Sequence, residues 1–368
     1  MKTIIKLVAV ISSVIGAASF AADKTLIDYF LPMPGGEGYG LQPDAWGAAT
    51  VGPRDQKNGL EDATMKQWNY WDGQIIKGPD GKYNMFASRW DQSRGHGGWG
   101  NSKAIHAVSD KAAGPYVDKG ICWPQDTDGK GHNVTALVLP DGTYAVLVSD
   151  TRPGDFFVSA SLDGPWTYKG RLQVDANGFS AARTTANLSI LVRPDGSFLI
   201  VPRSGAILLS TNGLTGPYKV QGPSVFANTP GLPNINLEDP VVWMSGGLYH
   251  IVVNSFSTRK AYHLTSPDGI HNWTFRGLAY DPTTNFVRYA DGTVNHWNNM
   301  ERPGVFIENG HVAYFTFAVI DVPKGNDRGN DNHGSKVIVV PFDGVAFDRD
   351  MAALAGGAQP GGTPAPRP

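Results

Sequence analysis

The chain has 368 residues, of which 41% are hydrophobic and 17% charged, a balance that indicates a globular protein rather than a disordered one. Its 31 basic and 33 acidic residues include no long basic run, which argues against nucleic acid and against an anionic membrane as partners. Cys122 is the only cysteine, so an internal disulfide is excluded; a small buried filler is expected there, and a catalytic thiol is the less favoured alternative.

Residues 1–21 have the pattern of a signal peptide, with Lys2 and Lys6 ahead of an apolar stretch and Ser19-Phe20-Ala21 as a cleavage site. Its removal leaves 29 basic against 33 acidic residues and predicts a periplasmic or secreted protein. No other stretch approaches the roughly 18–20 apolar residues of a membrane helix. Residues 22–64 contain no clear strand repeat and are interpreted as an N-terminal extension whose course is open.

Five later segments share one pattern, in which a polar residue begins an apolar stretch and two turn residues follow eight and nine positions later. The segments are DGQIIKGPDGKYNMFAS from Asp72, NVTALVLPDGTYAVLVS from Asn133, NLSILVRPDGSFLIVPR from Asn187, EDPVVWMSGGLYHIVVN from Glu238 and ERPGVFIENGHVAYFTF from Glu301. Asp-Gly and Asn-Gly pairs between apolar arms are the strongest short-range signal for a β-hairpin. The sequence therefore predicts five hairpins.

The hairpins begin 61, 54, 51 and 63 residues apart. A further strand follows each of the first four and ends in a serine and an aromatic turn, as in SLDGPW and SPDGIHNW. About four strands in each repeat predict an all-β, five-bladed β-propeller over residues 65–350. The alternative is a β-sandwich with repetitive hairpins. The Gly- and Pro-rich residues 351–368 are interpreted as a disordered tail.

In a propeller, the first strand of every blade lines the central channel, so the residue that starts it lies at one mouth. The five starting residues would form a ring there: Asp72, Asn133, Asn187, Glu238 and Glu301. Carboxyl groups that lie close together have different pKa values, so that one holds its proton while another stays ionised. A general acid and a general base require this difference. The alternative is that polar strand ends only cap solvent-facing turns.

Aromatic and cationic residues surround the first of these strands. Trp71 precedes Asp72, and the Gly-rich segment SRWDQSRGHGGWG (88–100) carries Arg89, Trp90 and His96. Aromatic faces suit sugar rings, whereas arginine and histidine bind hydroxyl or carboxylate groups. This neighbourhood favours a carbohydrate ligand, although Trp90 taken alone is more often a packing residue.

These features resemble the five-bladed glycoside hydrolases related to family 43, which include arabinofuranosidases, xylosidases and arabinanases. The resemblance covers roughly residues 65–345. Asp72, in WDGQIIKGPDGKY, matches the aspartate that acts as general base, and Glu238, in Glu238-Asp239-Pro240, matches the glutamate that acts as general acid. The resemblance implies an inverting mechanism, which places the two carboxyl groups about 6.5–9.5 Å apart.

The chain departs from the family pattern at Asn187, where relatives carry a second aspartate that tunes the acid. An amide cannot raise the pKa of the acid by its charge, so Asp239 or Glu301 is expected to replace it. The resemblance also implies a calcium or sodium ion in the channel, with His132 as the candidate neighbour or, equally, a substrate contact. No cofactor is required. Arg302 is expected to clamp the substrate or to neutralise Glu301.

The sequence thus predicts an exported glycoside hydrolase that acts on plant or algal polysaccharides or oligosaccharides. Its catalytic residues would be Asp72 and Glu238, and its sugar contacts Asn133, Asn187, His132, Trp71, Arg89, Trp90, His96, Asp239, Glu301 and Arg302. Two alternatives stay open. A polysaccharide lyase would pair an arginine with a uronate and use a histidine as base, whereas a non-catalytic carbohydrate-binding propeller would have lost its chemistry with Asn187.

Overall fold

The computed structural model describes residues 24–35, 55–64, 66–294, 296–331 and 333–356. Across these ranges the chain forms a five-bladed β-propeller, as the hairpin spacing predicts, and the β-sandwich alternative is wrong. The predicted signal peptide, residues 1–21, lies outside the described residues. Within the described ranges, no helix combines the length and the apolar character needed to cross a membrane.

Each blade is one mainly antiparallel sheet, with its strands numbered in chain order. Blade 1 contains β1 (Trp68–Lys77), β2 (Tyr83–Asp91), β3 (Lys103–Ser109) and β4 (Val117–Ile121), and blade 2 contains β5 (His132–Val138), β6 (Tyr144–Asp150), β7 (Asp155–Ser159) and β8 (Thr167–Arg171). Blade 3 contains β9 (Val174–Asp175), β10 (Ser189–Val192), β11 (Phe198–Val201), β12 (Leu208–Ser210) and β13 (Tyr218–Val220). Blade 4 contains β14 (Leu237–Ser245), β15 (Leu248–Ser255), β16 (Ala261–Ser266) and β17 (Thr274–Tyr280), and blade 5 contains β18 (Asn299–Glu308), β19 (His311–Ile320) and β20 (Lys336–Pro341).

Short helices connect or flank these strands. The α-helices are α1 (Val225–Asn228) and α2 (Gly344–Gly356), and the 3-10 helices are Leu26–Tyr29, Gln92–Arg94, His96–Asn101, Thr127–Gly129 and Lys324–Asn326.

The turn that joins the inner strand of each blade (β1, β5, β10, β14 or β18) to the next strand has the conformation that its residue pair predicts. The second residue of each pair is a glycine with φ between 80° and 83°, where a side chain would be strained. In three of these turns the aspartate carboxylate accepts the backbone N–H two residues later, at 3.0–3.1 Å. Local turn chemistry therefore determines the position of each first hairpin.

The N-terminal extension closes the ring by covering the outer edge of blade 5. The backbones of Leu60 and Val337 exchange two hydrogen bonds of 2.9 Å, and Asn58 bonds both the N–H and the C=O of Val339. The ammonium of Lys336 donates to the carbonyls of Asp55 and Asn58. At Gly59 a Cβ atom would lie 1.8 Å from the Val337 oxygen, so this close approach requires glycine.

Helix α2 corrects the predicted boundary of the C-terminal tail, which the composition places at residue 351. The helix continues to Gly356, and residues 357–368 lie outside the described residues. Phe347 and Met351, four residues apart on one helical face, are both buried. Phe347 packs against Tyr29 and Phe342, with ring centroids 5.3 Å apart in both pairs. Tertiary packing, rather than sequence periodicity, stabilises this helix.

Two buried histidines in blade 4 predict a loss of stability in mild acid. His250 Nδ1 lies 3.0 Å from His263 Nε2, and neither side chain is exposed. Burial lowers the pKa of His250 to about 4 and the pKa of His263 well below its ordinary value. Both are therefore neutral in the folded chain, whereas the unfolded chain protonates them below about pH 6.5. The unfolded state binds more protons, so the free energy of unfolding decreases as the pH is lowered.

Below about pH 6.5, each of these histidines is expected to remove up to about 1.4 kcal/mol of stability per pH unit. Urea unfolding between about pH 7 and pH 5 measures this dependence. The H250Q variant should flatten it, whereas H271Q, at an imidazole that is 67% exposed, should leave it unchanged. If H250Q left the slope of the free energy of unfolding against pH unchanged, His250 would not be a cause of the loss of stability.

Candidate functional site

A cavity of about 360 Å³ lies at the mouth where the inner strands begin. Its wall combines carboxylates, cations, amides, imidazoles and aromatic rings. Its lining residues are Trp71, His96, Trp99, His132, Asn133, Asp150, Asn187, Arg203, Asn236, Glu238, Asp239, Phe256, Glu301 and Lys324.

One residue per blade has a left-handed backbone within the first half of the inner strand or, at Asn187, just before it, with φ between 44° and 71°. These residues are Asp72, Asn133, Asn187, Asp239 and Arg302. The predicted ring is therefore displaced by one residue in blades 4 and 5, where Glu238 and Glu301 precede the equivalent positions. The first hairpins of blades 4 and 5 turn through two residues, whereas those of blades 1 to 3 turn through five, so a constant distance from the turn glycine falls one residue too early in blades 4 and 5.

Arg302 joins this ring through two buried carboxylates. Its Nε donates to Asp72 Oδ1 at 3.0 Å, and its NH1 lies 3.6 Å from Asp239 Oδ1. The amides continue the network, since Asn187 donates to Asp239 at 2.6 Å and Asn133 donates to Asn187 at 3.2 Å. The sequence predicted that Arg302 would contact the substrate or pair with Glu301, but Arg302 does not line the cavity and does not pair with Glu301. Its guanidinium instead neutralises the negative charge of the ring carboxylates.

Asp72 lies in the ring and not among the residues that line the cavity. Its side chain is 1% exposed, and Arg302, the Ser88 hydroxyl and the Val134 N–H, at 3.0 Å, all donate to its oxygens. Burial raises the pKa of Asp72, and the Arg302 charge opposes that rise. The predicted base therefore lies beneath the floor of the cavity.

Glu238 is the cavity carboxyl group that is best suited to hold a proton near neutral pH. Its Oε2 lies 2.8 Å from NH2 of Arg203. Burial and the neighbouring Asp239 charge raise the pKa of Glu238 to about 7, against the lowering effect of Arg203. Asp239, with a smaller contribution from Glu301, thus supplies the negative charge that Asn187 cannot. A carboxyl group in this state can act as a general acid.

Glu301 lies opposite a lysine that the sequence analysis did not single out. Its Oε2 accepts from the Lys324 ammonium and its Oε1 from the Asn299 amide, at 3.1 Å. Burial raises the pKa of Glu301, and the Lys324 charge opposes the rise. One oxygen from each of Glu238, Asp239 and Glu301 lies within 4.8 Å of the others.

The channel ion that the resemblance implies stays a prediction, and among the described residues the carboxylates of Glu238, Asp239 and Glu301 are the group that could hold it. The positive charge between Asp72 and Asp239 is already provided by the Arg302 guanidinium. His132, its expected neighbour, places Nδ1 2.9 Å from the Ser102 hydroxyl, and burial lowers the pKa of His132 to about 3. His132 is therefore a neutral, hydrogen-bonded wall residue.

The Gly-rich segment places the expected residue His96 in the cavity and adds Trp99, whereas Trp90 does not line it. His96 and Trp99 line it together with Trp71, and the Trp99 ring packs 5.0 Å from the His132 ring. Trp90 is buried and donates from Nε1 to the Gly95 carbonyl at 2.9 Å, so it supports the segment from below.

Arg89 lies outside this cavity, which corrects its predicted role as a sugar contact. Its guanidinium pairs with Asp118 and stacks 4.2 Å from the centroid of the Trp68 ring, in a separate groove of about 570 Å³. Alternating side chains along β2 point to opposite faces of the sheet, so Arg89 and its neighbour Trp90 separate.

Several lining residues were missed because they lie at or after the end of the strand that pairs with the inner strand of their blade. They are Asp150, Arg203, Phe256 and Lys324. An antiparallel hairpin places the end of its second strand beside the start of its first, as in the pairing of His132 with Asp150. The residues just after each second strand were therefore a usable signal.

Replacing Arg203 by methionine is expected to raise the pKa of Glu238 above about 7, because the guanidinium favours the ionised carboxylate. In an enzyme that uses Glu238 as acid, the alkaline limb of the pH dependence of kcat/KM should move upward. The matched variant R171M removes a guanidinium that is 63% exposed in blade 2 and should not move it. A downward shift in R203M would contradict this account.

No protein-family model matches the chain, and no curated protein matches it in sequence. Solved structures match it in fold. One is CoXyl43, a family 43 β-xylosidase/α-arabinofuranosidase from a compost microbial metagenome, with 14% identity, a TM-score of 0.50, and 74% of this chain and 91% of that chain covered. Another is Zg3597, a family 117 glycoside hydrolase of Zobellia galactanivorans, with 13% identity, a TM-score of 0.53, and 78% and 88% covered. The expected resemblance in fold is confirmed, at a distant level.

Proposed function

We propose that the protein is an exported glycoside hydrolase acting on plant or algal polysaccharides or their oligosaccharides. The observation that carries the proposal is the Glu238 carboxyl group, which lines a cavity beside Asp239 and Glu301 with a pKa raised to about 7. The aromatic rings of Trp71, Trp99 and Phe256 suit a sugar ring. Export is proposed from the N-terminal sequence alone, and the solved hydrolases of the same fold support the class of reaction.

In the proposed reaction, Glu238 protonates the glycosidic oxygen as its bond to the anomeric carbon breaks. A water adds to that carbon and gives its proton to a base, so one water is consumed and two hydroxyl groups form. We assign the base to Asp72, as the resemblance implies. The three donors to Asp72 favour its ionised form and oppose the effect of burial on its pKa, and a carboxylate offers about four lone-pair sites, which leaves one for water. Because Asp72 lies beneath the cavity floor, this role requires the ring to open a path to it.

Glu301 is the competing second carboxylate, because it already lines the cavity. Its oxygen lies within 4.8 Å of Glu238, which is nearer to the roughly 5–5.5 Å of retaining enzymes than to the 6.5–9.5 Å of inverting ones. Proton NMR of the first product formed separates the two assignments. An inverted anomeric centre supports Asp72, whereas a retained one would replace it with Glu301 as nucleophile.

The geometry favours a neutral sugar and so disfavours a lyase that acts on uronates. Arg89 and Arg302, the arginines expected to bind a uronate, do not line the cavity. Arg203 and Lys324 do, but each already pairs with a carboxylate. Four lining carboxylates against these two cations would repel an anionic substrate.

The experiment is product analysis by mass spectrometry on a panel of aryl glycosides and plant and algal oligosaccharides. Two products whose summed mass exceeds that of the intact substrate by one water establish hydrolysis. An unsaturated product that is lighter by one water than the corresponding hydrolysis product, with new ultraviolet absorbance, would establish the lyase. Binding without turnover on every sugar would establish the non-catalytic propeller.

A further inference from the structure

The segment that follows β19 carries a cation into the cavity from blade 5. Lys324 begins the 3-10 helix Lys324–Asn326, lines the cavity, and is 23% exposed. Its ammonium donates to Glu301 and lies 5.0 Å from the centroid of the Trp71 ring and 5.5 Å from that of the Phe256 ring. Two aromatic faces and one carboxylate thus define its position.

The rest of this segment is anchored to the Gly-rich segment of blade 1. The Gln92 amide oxygen accepts the Asn330 N–H at 2.7 Å, and Asp327 accepts the Gly329 N–H at 3.1 Å. At Gly95 a Cβ atom would lie 2.3 Å from the Asp327 carbonyl oxygen, so the two segments are in direct contact. Lys324 therefore enters the cavity from a supported backbone.

We infer that Lys324 is a positioning residue that keeps Glu301 ionised and oriented, so that the one proton shared by the Glu238 and Glu301 pair resides on Glu238. Two adjacent carboxyl groups perform different tasks only when their surroundings separate their proton affinities. The ammonium donates to Glu301 and favours its ionised form directly, whereas at Glu238 the opposing effect of Asp239 is larger than that of Lys324. This inference rests on the proposed hydrolase function.

Other charges act on the same pair and must stay constant in the test. Arg203 faces Glu238, Arg302 faces Asp239 and Asp72, and Asp150 lies across the cavity. His96 and His132, the two imidazoles in the wall, are neutral because burial lowers the pKa of both. Substituting Lys324 alone therefore changes one charge in an otherwise unchanged set.

The test is the pH dependence of kcat/KM in K324M, K324R and the matched surface variant K219M, whose side chain lies exposed on β13. In K324M the acidic limb is expected to move upward by about one pH unit, because Glu301 takes up a proton more readily without the ammonium. At neutral pH, kcat should fall about tenfold or more with little change in KM. K324R should restore most of the wild-type kcat and most of the wild-type position of the acidic limb. K219M should match the wild type in both quantities.

A double variant shows whether Lys324 acts through Glu301. In an E301Q background the K324M substitution is expected to have no further effect on kcat. Equal losses in both backgrounds, or a fall in kcat with an unmoved acidic limb, would overturn the inference. If the wild type hydrolyses nothing, the proposed function fails by itself. The inference is then tested by ¹³C NMR titration of the glutamate carboxyl groups, where an unchanged Glu301 resonance in K324M overturns it.

Discussion

Replacing Glu238 by glutamine is expected to lower kcat on natural oligosaccharides by about 10²–10⁴-fold, the usual contribution of a general acid. The amide has nearly the same shape and retains a hydrogen bond, but it cannot donate a proton to the departing oxygen. We assign the acid to Glu238 because its pKa is raised to about 7 and its side chain lines the cavity proposed to bind the sugar. Steady-state rates on the best substrate of the panel measure the loss.

The leaving group distinguishes lost acid catalysis from lost binding. A nitrophenyl glycoside needs little protonation, so E238Q should lose far less activity on it than on an oligosaccharide. The matched variant E308Q, at a surface glutamate paired with Lys77, should behave as the wild type on both substrates. Equal losses of E238Q on both substrates would assign Glu238 to binding, and full activity would move the chemistry to another residue.

Replacing Arg302 by methionine is expected to lower the free energy of unfolding by about 3–5 kcal/mol, the cost of removing one partner from a buried ion pair. Arg302 is 5% exposed and contacts the carboxylates of Asp72 and Asp239 from two neighbouring blades. Without the guanidinium, two buried carboxylates would face each other with only neutral donors. Urea unfolding followed by circular dichroism measures the change.

A second substitution tests whether the cost is electrostatic. In the double variant D72N/R302M one of the two orphaned charges is absent, so part of the lost stability should return. The control R349M, at a side chain that is 70% exposed, should change the free energy of unfolding by less than about 0.5 kcal/mol. If R302M lost no more than R349M, the ring would not be held together by charge.

The cavity contains a negative charge beside Glu238 although Asn187 stands where the resemblance implies an aspartate. Asn187 carries no charge, yet it donates to Asp239 at 2.6 Å and thereby orients the carboxylate next to Glu238. The negative charge that raises the pKa of Glu238 is supplied by Asp239, the adjacent residue. This favours a working hydrolase over a propeller that has lost its reaction.

Features set by short-range chemistry were predictable from the sequence. Each first hairpin depends on an Asp-Gly, Gly-Gly or Asn-Gly pair whose glycine takes a positive φ, and five such pairs at regular spacing indicate five blades. Glu238 could also be named in advance, because its position before a proline matches a known pattern. These assignments need only a few neighbouring residues.

The tertiary structure decided which side chains share the cavity. The first hairpins of blades 4 and 5 have two-residue turns, whereas those of blades 1 to 3 have five-residue turns, so the ring position lies one residue nearer to the turn glycine in blades 4 and 5. Arg302 is therefore buried in the ring, and Glu301 lines the cavity. Arg203 and Lys324 come from the ends of second strands, and their partners are 35 and 23 residues away in the chain. The course of the N-terminal extension along β20 depends on packing between distant segments. Local sequence determines turns, whereas a one-residue change in register and contacts between blades depend on the assembled ring.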